Sequence, residues 1–429
     1  MIDKSDTAWM LVCTTLVLLM TIPGLGLFYA GMVRKKNVLA TLMQSFSLCC
    51  ILSVVWMVAG YSLAFTAGTP WIGGLSRFML HGIGAHIHNG LDVPFIMSAG
   101  GSTGNSGSAA GITLTVPESI FMLFQMTFAI IAPVIIAGGY AERMKFSTMC
   151  VFSILWSLVV YAPVVHWVWC PTGWLANLGA ADFAGGTVVH INAGVAGLMC
   201  ALALGPRRGY GHEGFPPFNL TYAVIGAALL WFGWFGFNAG SALGADGRAC
   251  MAMVATQMAA AGAGISWMVV EWIHRGKPTV LGVISGAVGG LVASAPAAGF
   301  VLPDSALLIG LCAGGACYWG ATGLKHFFGY DDSLDAFGVH GVGGIVGALL
   351  TGALAYGPLS ATNTDPIGIV PSVHQVAVQA EAVGVVVIWC ASMSFVILKI
   401  LDKIMGLRVT PEQELEGLDT ALHGEHINL

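Results

Sequence analysis

The stretch D-F-A-G-G-T-V-V-H-I-N-A-G-V-A-G, Asp182 to Gly197, decides how the rest of the chain is read. It is apolar, rich in Gly and Ala, opens on a carboxylate and carries a bare imidazole, His190, in its interior. A second stretch, D-A-F-G-V-H-G-V-G-G-I-V-G, Asp335 to Gly347, repeats the pattern around His340. Burying a polar group without a partner costs on the order of 2–7 kcal/mol, so each histidine needs something to bond. The reading that satisfies both is that they face each other along a narrow path through a membrane.

Composition requires that membrane. Of 429 residues, 56% are hydrophobic and only 9% charged, and the mean hydropathy is +0.82. Soluble domains carry about 25% charged residues, so this chain cannot dress its surface for water. The net charge of −5 and the lack of a basic stripe with interleaved aromatics speak against nucleic acid as a partner. Ten cysteines are scattered, mostly in apolar runs, with no C-x-x-C, so neither a zinc site nor a disulfide framework is signalled. Cys170 and Cys250 lie near one membrane face, and the sequence leaves their pairing open.

At about 20 apolar residues per span, eleven spans are predicted: 8–32, 41–65, 118–139, 147–168, 185–205, 219–240, 250–273, 279–300, 305–324, 337–357 and 378–401. The first is too long for a signal peptide and follows a mildly acidic, not basic, segment. Arg34, Lys35 and Lys36 follow span one, and Arg143 and Lys145 follow span three. Arg207 and Arg208 follow span five, Arg275 and Lys277 span seven, and Lys325 span nine; Lys399, Lys403 and Arg408 end or follow span eleven. Thirteen of the sixteen Lys and Arg thus share one side, leaving Lys4, Arg77 and Arg248 on the other. The positive-inside rule sets the N-terminus outside and the C-terminus in the cytoplasm, as an odd span count requires. Residues 66–116 form the long outer connector, with a flexible loop over Gly100–Gly111. Residues 1–401 read as one transmembrane domain and 402–429 as a cytoplasmic tail.

A weak internal repeat is visible. G-L-G-L-F-Y-A-G, Gly24–Gly31, matches G-W-F-G-F-N-A-G, Gly233–Gly240, at Gly24/Gly233, Phe28/Phe237, Ala30/Ala239 and Gly31/Gly240. The two histidine helices are likewise five spans apart and run oppositely. The predicted fold is therefore an all-α polytopic membrane protein with two inverted five-helix repeats, about 8–205 and 219–357, plus a final helix. Inverted repeats place the functional site near the bilayer midplane at their interface.

His190 lies eight residues from Asp182, roughly 12 Å of helix, and His340 five from Asp335, roughly 7–8 Å. Entering a core about 30 Å thick from opposite faces, both imidazoles reach its middle third. A single membrane histidine is often a satisfied packing residue; two in matched inverted contexts favour function. Two neutral imidazoles share one N–H···N bond and still offer a donor and an acceptor to a small polar molecule. No ring of oxygen ligands accompanies them, so a hydrated metal cation does not fit. Asp182 and Asp335 read as helix caps, and Asp182, near the outer mouth, also draws in cations by its charge. Phe124, Phe128, Trp169, Trp174, Trp234, Phe237 and Ser241 cluster towards the same face. Interfacial aromatics are usually belt anchors, but Trp and Phe faces also hold a cation for about 0.5–2 kcal/mol, and a hydroxyl accepts one of its hydrogens. No carboxylate is expected along the route.

These residues resemble the ammonium transporter family (Amt/Mep/Rh), on the Amt side. The resemblance runs from M-T-I-P-G-L-G-L-F-Y-A-G, Met20–Gly31, to G-L-R-V-T-P-E-Q-E-L-E-G-L-D, Gly406–Asp419. It is most specific in D-F-A-G-G-T-V-V-H-I-N-A-G (Asp182–Gly194), G-W-F-G-F-N-A-G-S-A (Gly233–Ala242) and D-A-F-G-V-H-G-V-G-G-I-V-G (Asp335–Gly347). It implies a homotrimer in the bacterial plasma membrane, with one hydrophobic ammonium/ammonia pore per eleven-helix subunit and no cofactor or metal. Phe128, Trp169 and Ser241 match the family's outer recruitment site, supported by Asp182; Phe128 and Phe237 match its phenyl gate. His190 and His340 match the twin-histidine pair, with Trp234 beside them in the pore. The segment between Trp169 and Asp182 is about one residue longer than the enteric pattern. A PII-type signal protein docking on the cytoplasmic face is a further implied partner, with Gly205–Gly214 and the tail as its contacts. Two rivals remain: a membrane enzyme using the histidines with a metal, which needs a third ligand at midplane where His166, His274 and His374 fall near span ends, and a sensor of ammonium.

Overall fold

The computed structural model describes residues 1–84, 93–97, 112–361 and 367–427; the Gly100–Gly111 loop predicted above lies outside them. Among the described residues ten helices are long and apolar enough to cross a membrane: Lys4–Met32, Lys35–Phe65, Glu118–Tyr140, Phe146–Leu178, Gly186–Leu204, Leu220–Gly240, Gly247–Arg275, Pro303–Phe328, Ala336–Leu354 and Val373–Met405. A shorter apolar helix, Val280–Ser294, makes the eleventh, eighth in chain order. The eleven-span expectation holds, and the protein is an all-α multi-pass membrane protein. Span eight differs from its predicted extent, 279–300. After Ser294 the A-P-A-A-G-F segment leaves the helix, and the carbonyls of Ala295 and Pro296 accept the N–H groups of Ala184 and Phe183 at 2.8 and 3.2 Å. Irregular backbone at this depth is tolerated because protein surrounds it and satisfies its polar groups.

Spans one and six pack antiparallel at close range. A Cβ on Gly31 would lie 2.5 Å from Ala223 N, and one on Gly240 2.7 Å from Cys13 Cβ, so the contact runs the length of both helices. Spans five and ten cross in the same way. A Cβ on Gly194 would sit 2.4 Å from Gly341 N, one residue beyond His340. Small residues that let backbones approach are the usual device for membrane helix contacts, and here they bring the two histidine helices together.

The face carrying Arg34, Arg143 and Arg207, the basic face, is closed by a buried ion network. Glu142 accepts from Arg34 Nε and Arg207 Nη1 at 2.9 and 3.0 Å, and Asp331 from Arg207 Nε and Nη2 at 2.8 Å each. Arg143 donates to the Gly139, Ala141, Gly205 and Asp331 carbonyls and to Ser333 Oγ. Burial alone would raise both carboxyls. The neighbouring guanidinium groups outweigh it and hold each below the usual carboxylate range. The tail folds onto this network. Glu414 bridges Arg408 Nη2 at 2.8 Å and Arg208 N at 2.7 Å, and Asp419 accepts Ala40 N at 2.8 Å.

Candidate functional site: a histidine pair between two cavities

Both histidine helices begin with the same local device. Asp182 Oδ1 accepts the N–H groups of Gly185 and Gly186 at 2.9 and 2.7 Å, and Oδ2 those of Thr187 and Val188 at 2.9 Å each. Gly185 is left-handed (φ 107°), which a residue without Cβ adopts freely. Its carbonyl takes both Val189 N and His190 N, widening the first turn and aiming His190 sideways. In span ten the left-handed residue is Asp335 (φ 57°). The cap is Asp332, whose Oδ2 accepts Phe337 N at 2.7 Å.

This corrects the repeat register. Asp332, Asp335 and His340 correspond to Asp182, Gly185 and His190, so each histidine lies eight residues past its cap. The Asp335 side chain makes no cap bond to the helix; its Oδ1 accepts Lys325 Nζ at 2.8 Å.

The two imidazoles meet. Their Nδ1 atoms are 3.3 Å apart and their rings 5.4 Å between centroids, 25° from parallel. Both are buried, and His190 Nε2 has no hydrogen-bond partner among the described residues. Trp234 stacks on His190 at 5.2 Å and 18°, and Phe237 lies 5.7 Å from the same ring. Phe128 stacks on Phe237 at 4.3 Å and 27°, and Trp169 meets Phe128 edge-on at 5.7 Å. A continuous file therefore runs Trp169, Phe128, Phe237, His190, His340.

Beyond the phenyl pair, on the face opposite the basic one, opens a cavity of about 110 Å³. Phe65, Met97, Phe121, Gln125, Trp169, Phe183, Ser241 and Leu243 line it. The expected Trp169 and Ser241 are here, whereas Phe128 lies beneath as part of the stacked pair. Trp169 Nε1 donates to Asp182 O at 2.8 Å and Ser241 Oγ to Phe237 O at 2.9 Å, so their own hydrogens are committed. Asp182 is outside the cavity wall and its oxygens are taken by the four N–H groups. Trp174 joins Trp71 and Trp167 in a separate aromatic group, and Phe124 packs edge-on to Phe128 at 4.9 Å. Sequence reasoning missed Phe65, Phe121 and Phe183, since nothing local marks a phenylalanine as lining a space.

A second cavity, about 220 Å³, lies towards the basic face, lined by Phe28, Val339, Ser285, Thr322, Glu271, Asp335 and Arg275 among others. It carries two carboxylates where none was expected on the route. Glu271 is buried and accepts Thr279 N and Oγ1 at 3.0 Å each, and its position near a span end disguised it as interfacial. A largely aromatic outer cavity and an apolar centre where, among the described residues, two imidazoles meet suit a small, neutral N–H molecule better than an ion. Among the described residues no three His, Cys, Asp or Glu converge to hold a metal. Cys170 and Cys250 are unlinked.

Comparison with known proteins agrees with this architecture. The sequence profile of the Ammonium Transporter Family matches residues 8–427. The chain is 46% identical over 423 residues to an ammonium transporter of Bacillus subtilis (strain 168), covering 99% of this chain and 98% of that one. It is 40% identical to the ammonium transporter Amt1 of Archaeoglobus fulgidus, over 99% of both. The crystal structure of Saccharomyces cerevisiae Mep2 superposes with a TM-score of 0.84 at 34% identity, covering 96% of this chain and 88% of that chain. A structure titled "Sensor Amt Protein" superposes at 0.85 with 28% identity over 98% of each.

Proposed function

This chain belongs to the ammonium transporter family, and we propose that it gathers NH4+ in the cavity beside Trp169 and Ser241, strips one proton, and passes NH3 between His190 and His340. The basic face is cytoplasmic, the N-terminus lies outside and the membrane is the bacterial plasma membrane. The aromatic walls hold the cation by its charge, and Ser241 Oγ, its hydrogen committed to Phe237 O, accepts a hydrogen. The stacked Phe128 and Phe237 close the way to an intact hydrated ion. A bare ammonium ion in this centre would face a desolvation penalty of several kcal/mol, and losing H+ removes most of it. The proton is taken up by water at the outer mouth and stays there or follows separately. K+ has no proton to lose and is excluded.

The observation that carries this reading is the 3.3 Å contact between two buried imidazole nitrogens at the end of the aromatic file. Its partners are a further part of the proposal: a homotrimer, each subunit with its own pore, and a PII-type protein docking on the basic face around Gly205–Gly214 and the tail. The test is ammonium uptake by proteoliposomes carrying a pH-sensitive dye, for wild type, His190→Ala and His340→Ala. Flux falls in both variants; if both match wild type, the reading is wrong.

A further inference from the structure

We propose that His166 is a positioning residue that works as an imidazolium, each ring nitrogen donating to a backbone carbonyl, and that this clamp holds two walls of the outer cavity in place; its effect on uptake rests on the reading above. His166 is buried at the outer end of span four. Its Nδ1 lies 2.9 Å from Ala64 O and its Nε2 2.8 Å from Thr69 O. A carbonyl oxygen only accepts, so both nitrogens must donate, and only the protonated ring carries two N–H groups. A neutral ring would press a nitrogen lone pair against an oxygen lone pair. Thr172 Oγ1, 3.4 Å from Nε2 and 3.1 Å from Cys170 Sγ, would serve a neutral Nε2 only by leaving Thr69 O at 2.8 Å with no hydrogen between. The Glu118 carboxylate at the same face is taken by Tyr61 and Arg77. Two charge-assisted bonds, each roughly twice as strong as a neutral one, are what make the buried charge tolerable.

The two carbonyls show what the clamp does. Ala64 precedes Phe65 on span two, and Trp169 lies one turn beyond His166 on span four. Phe65 and Trp169 line the outer cavity, whereas His166 does not. Among the described residues the Nδ1 bond is the one side-chain hydrogen bond between these two helix ends, so it sets the separation of the two walls. The Nε2 bond holds the hairpin Gly68–Gly73. That hairpin is also held by Trp167 Nε1, donating to Trp71 O at 2.6 Å, and by Trp174 N, donating to Pro70 O at 3.3 Å. Losing the Nδ1 bond therefore matters more to the cavity than losing the Nε2 bond.

The test joins solid-state NMR of the reconstituted protein, with histidine labelled in its ring nitrogens, to ammonium uptake. His166 is picked out by subtracting the spectrum of either amide variant, His166→Asn or His166→Gln. At neutral pH both its nitrogens carry hydrogen, and they still do in Cys170→Ser, where no thiolate is available to balance the charge. Asparagine places its NH2 where Nδ1 stands and keeps the Ala64 bond; glutamine places it where Nε2 stands and keeps only the Thr69 bond. Uptake in His166→Asn stays within about two-fold of wild type, and in His166→Gln it falls about 10-fold, as for a misplaced wall. A packing residue would treat the two amides alike. A His166 nitrogen without hydrogen, in wild type or in Cys170→Ser, overturns the inference, and so does equal uptake in the two amide variants or the reverse order. If His166→Gln does not fold, the spectra and His166→Asn decide: an asparagine variant about 10-fold below wild type overturns it. A wild type that takes up no ammonium while both nitrogens carry hydrogen would instead sink the transport reading.

Discussion

Replacing Asp182 by asparagine tests the element on which the histidine geometry depends. The Asp182 carboxylate accepts four backbone N–H groups, two on each oxygen. Asparagine keeps one oxygen, enough for two of them, and turns an NH2 towards the other pair. Hydrogen bonds to a charged group contribute about 1.5–3 kcal/mol each, so losing two costs about 3–6 kcal/mol. Unfolding entropy near 2 cal/mol/K per residue makes 1 kcal/mol worth about 1 °C for 429 residues. The expected drop is about 3–6 °C, read by tryptophan fluorescence or size-exclusion survival after heating in detergent. Uptake should fall as well, because Trp169 hangs on the Asp182 carbonyl and His190 on the turn the carboxylate closes. An unfolding temperature within 1 °C of wild type would refute the reasoning.

Asp332→Asn should cost less than Asp182→Asn in the same heating assay, because Asp332 accepts Phe337 N through Oδ2 while its Oδ1 has no partner among the described residues, so an amide keeps that bond. Asp335→Asn, which breaks only a partly exposed pair with Lys325, costs under about 1 kcal/mol. Gly194→Ala places a methyl 2.4 Å from Gly341 N, so spans five and ten must part. It should cost about 1–3 kcal/mol and cut ammonium uptake by separating the imidazoles; a variant with wild-type uptake would contradict the close crossing. Asp331→Asn leaves Arg207 with one of its two carboxylates, Glu142, and is expected to cost less than the about 3–5 kcal/mol of a buried charge left unpaired. The acid limit follows from the same groups. Glu142 and Asp331 have lowered pKa values in the folded protein, so the stability they contribute is present above the unfolded value near 4. It is lost as pH falls through the lower folded value. Unfolding temperature should therefore be insensitive to these two groups above about pH 5 and decline below pH 4, whereas Asp331→Asn shows a shallower decline.

Hydropathy located the spans because lipid demands long apolar helices, and it overran furthest where A-P-A-A-G-F, 295–300, is apolar without being helical. Composition does not separate buried irregular backbone from helix. The histidine pair was legible because His190 and His340 sit in glycine-rich runs of opposite direction. Their caps were half legible. Asp182 stands alone before its helix, but D-D-S-L-D at 331–335 offers three carboxylates, and the one nearest the histidine was chosen. The left-handed turn that places the cap three residues earlier is a glycine in one repeat and an aspartate in the other, so the match is hidden. Glu271 and Phe121 belong to cavities assembled from distant helices, and no spacing along the chain announces such a partnership.

The claim on which the account stands is that no intact cation crosses the centre. It is tested most directly by recording current and uptake together across bilayers holding the purified protein, with K+ substituted for NH4+ at equal concentration. The account predicts ammonium uptake that K+ neither replaces nor carries, with no K+ current above that of protein-free bilayers. A K+ current through the wild-type protein that disappears in His190→Ala would mean that whole ions pass the imidazoles, contrary to the account.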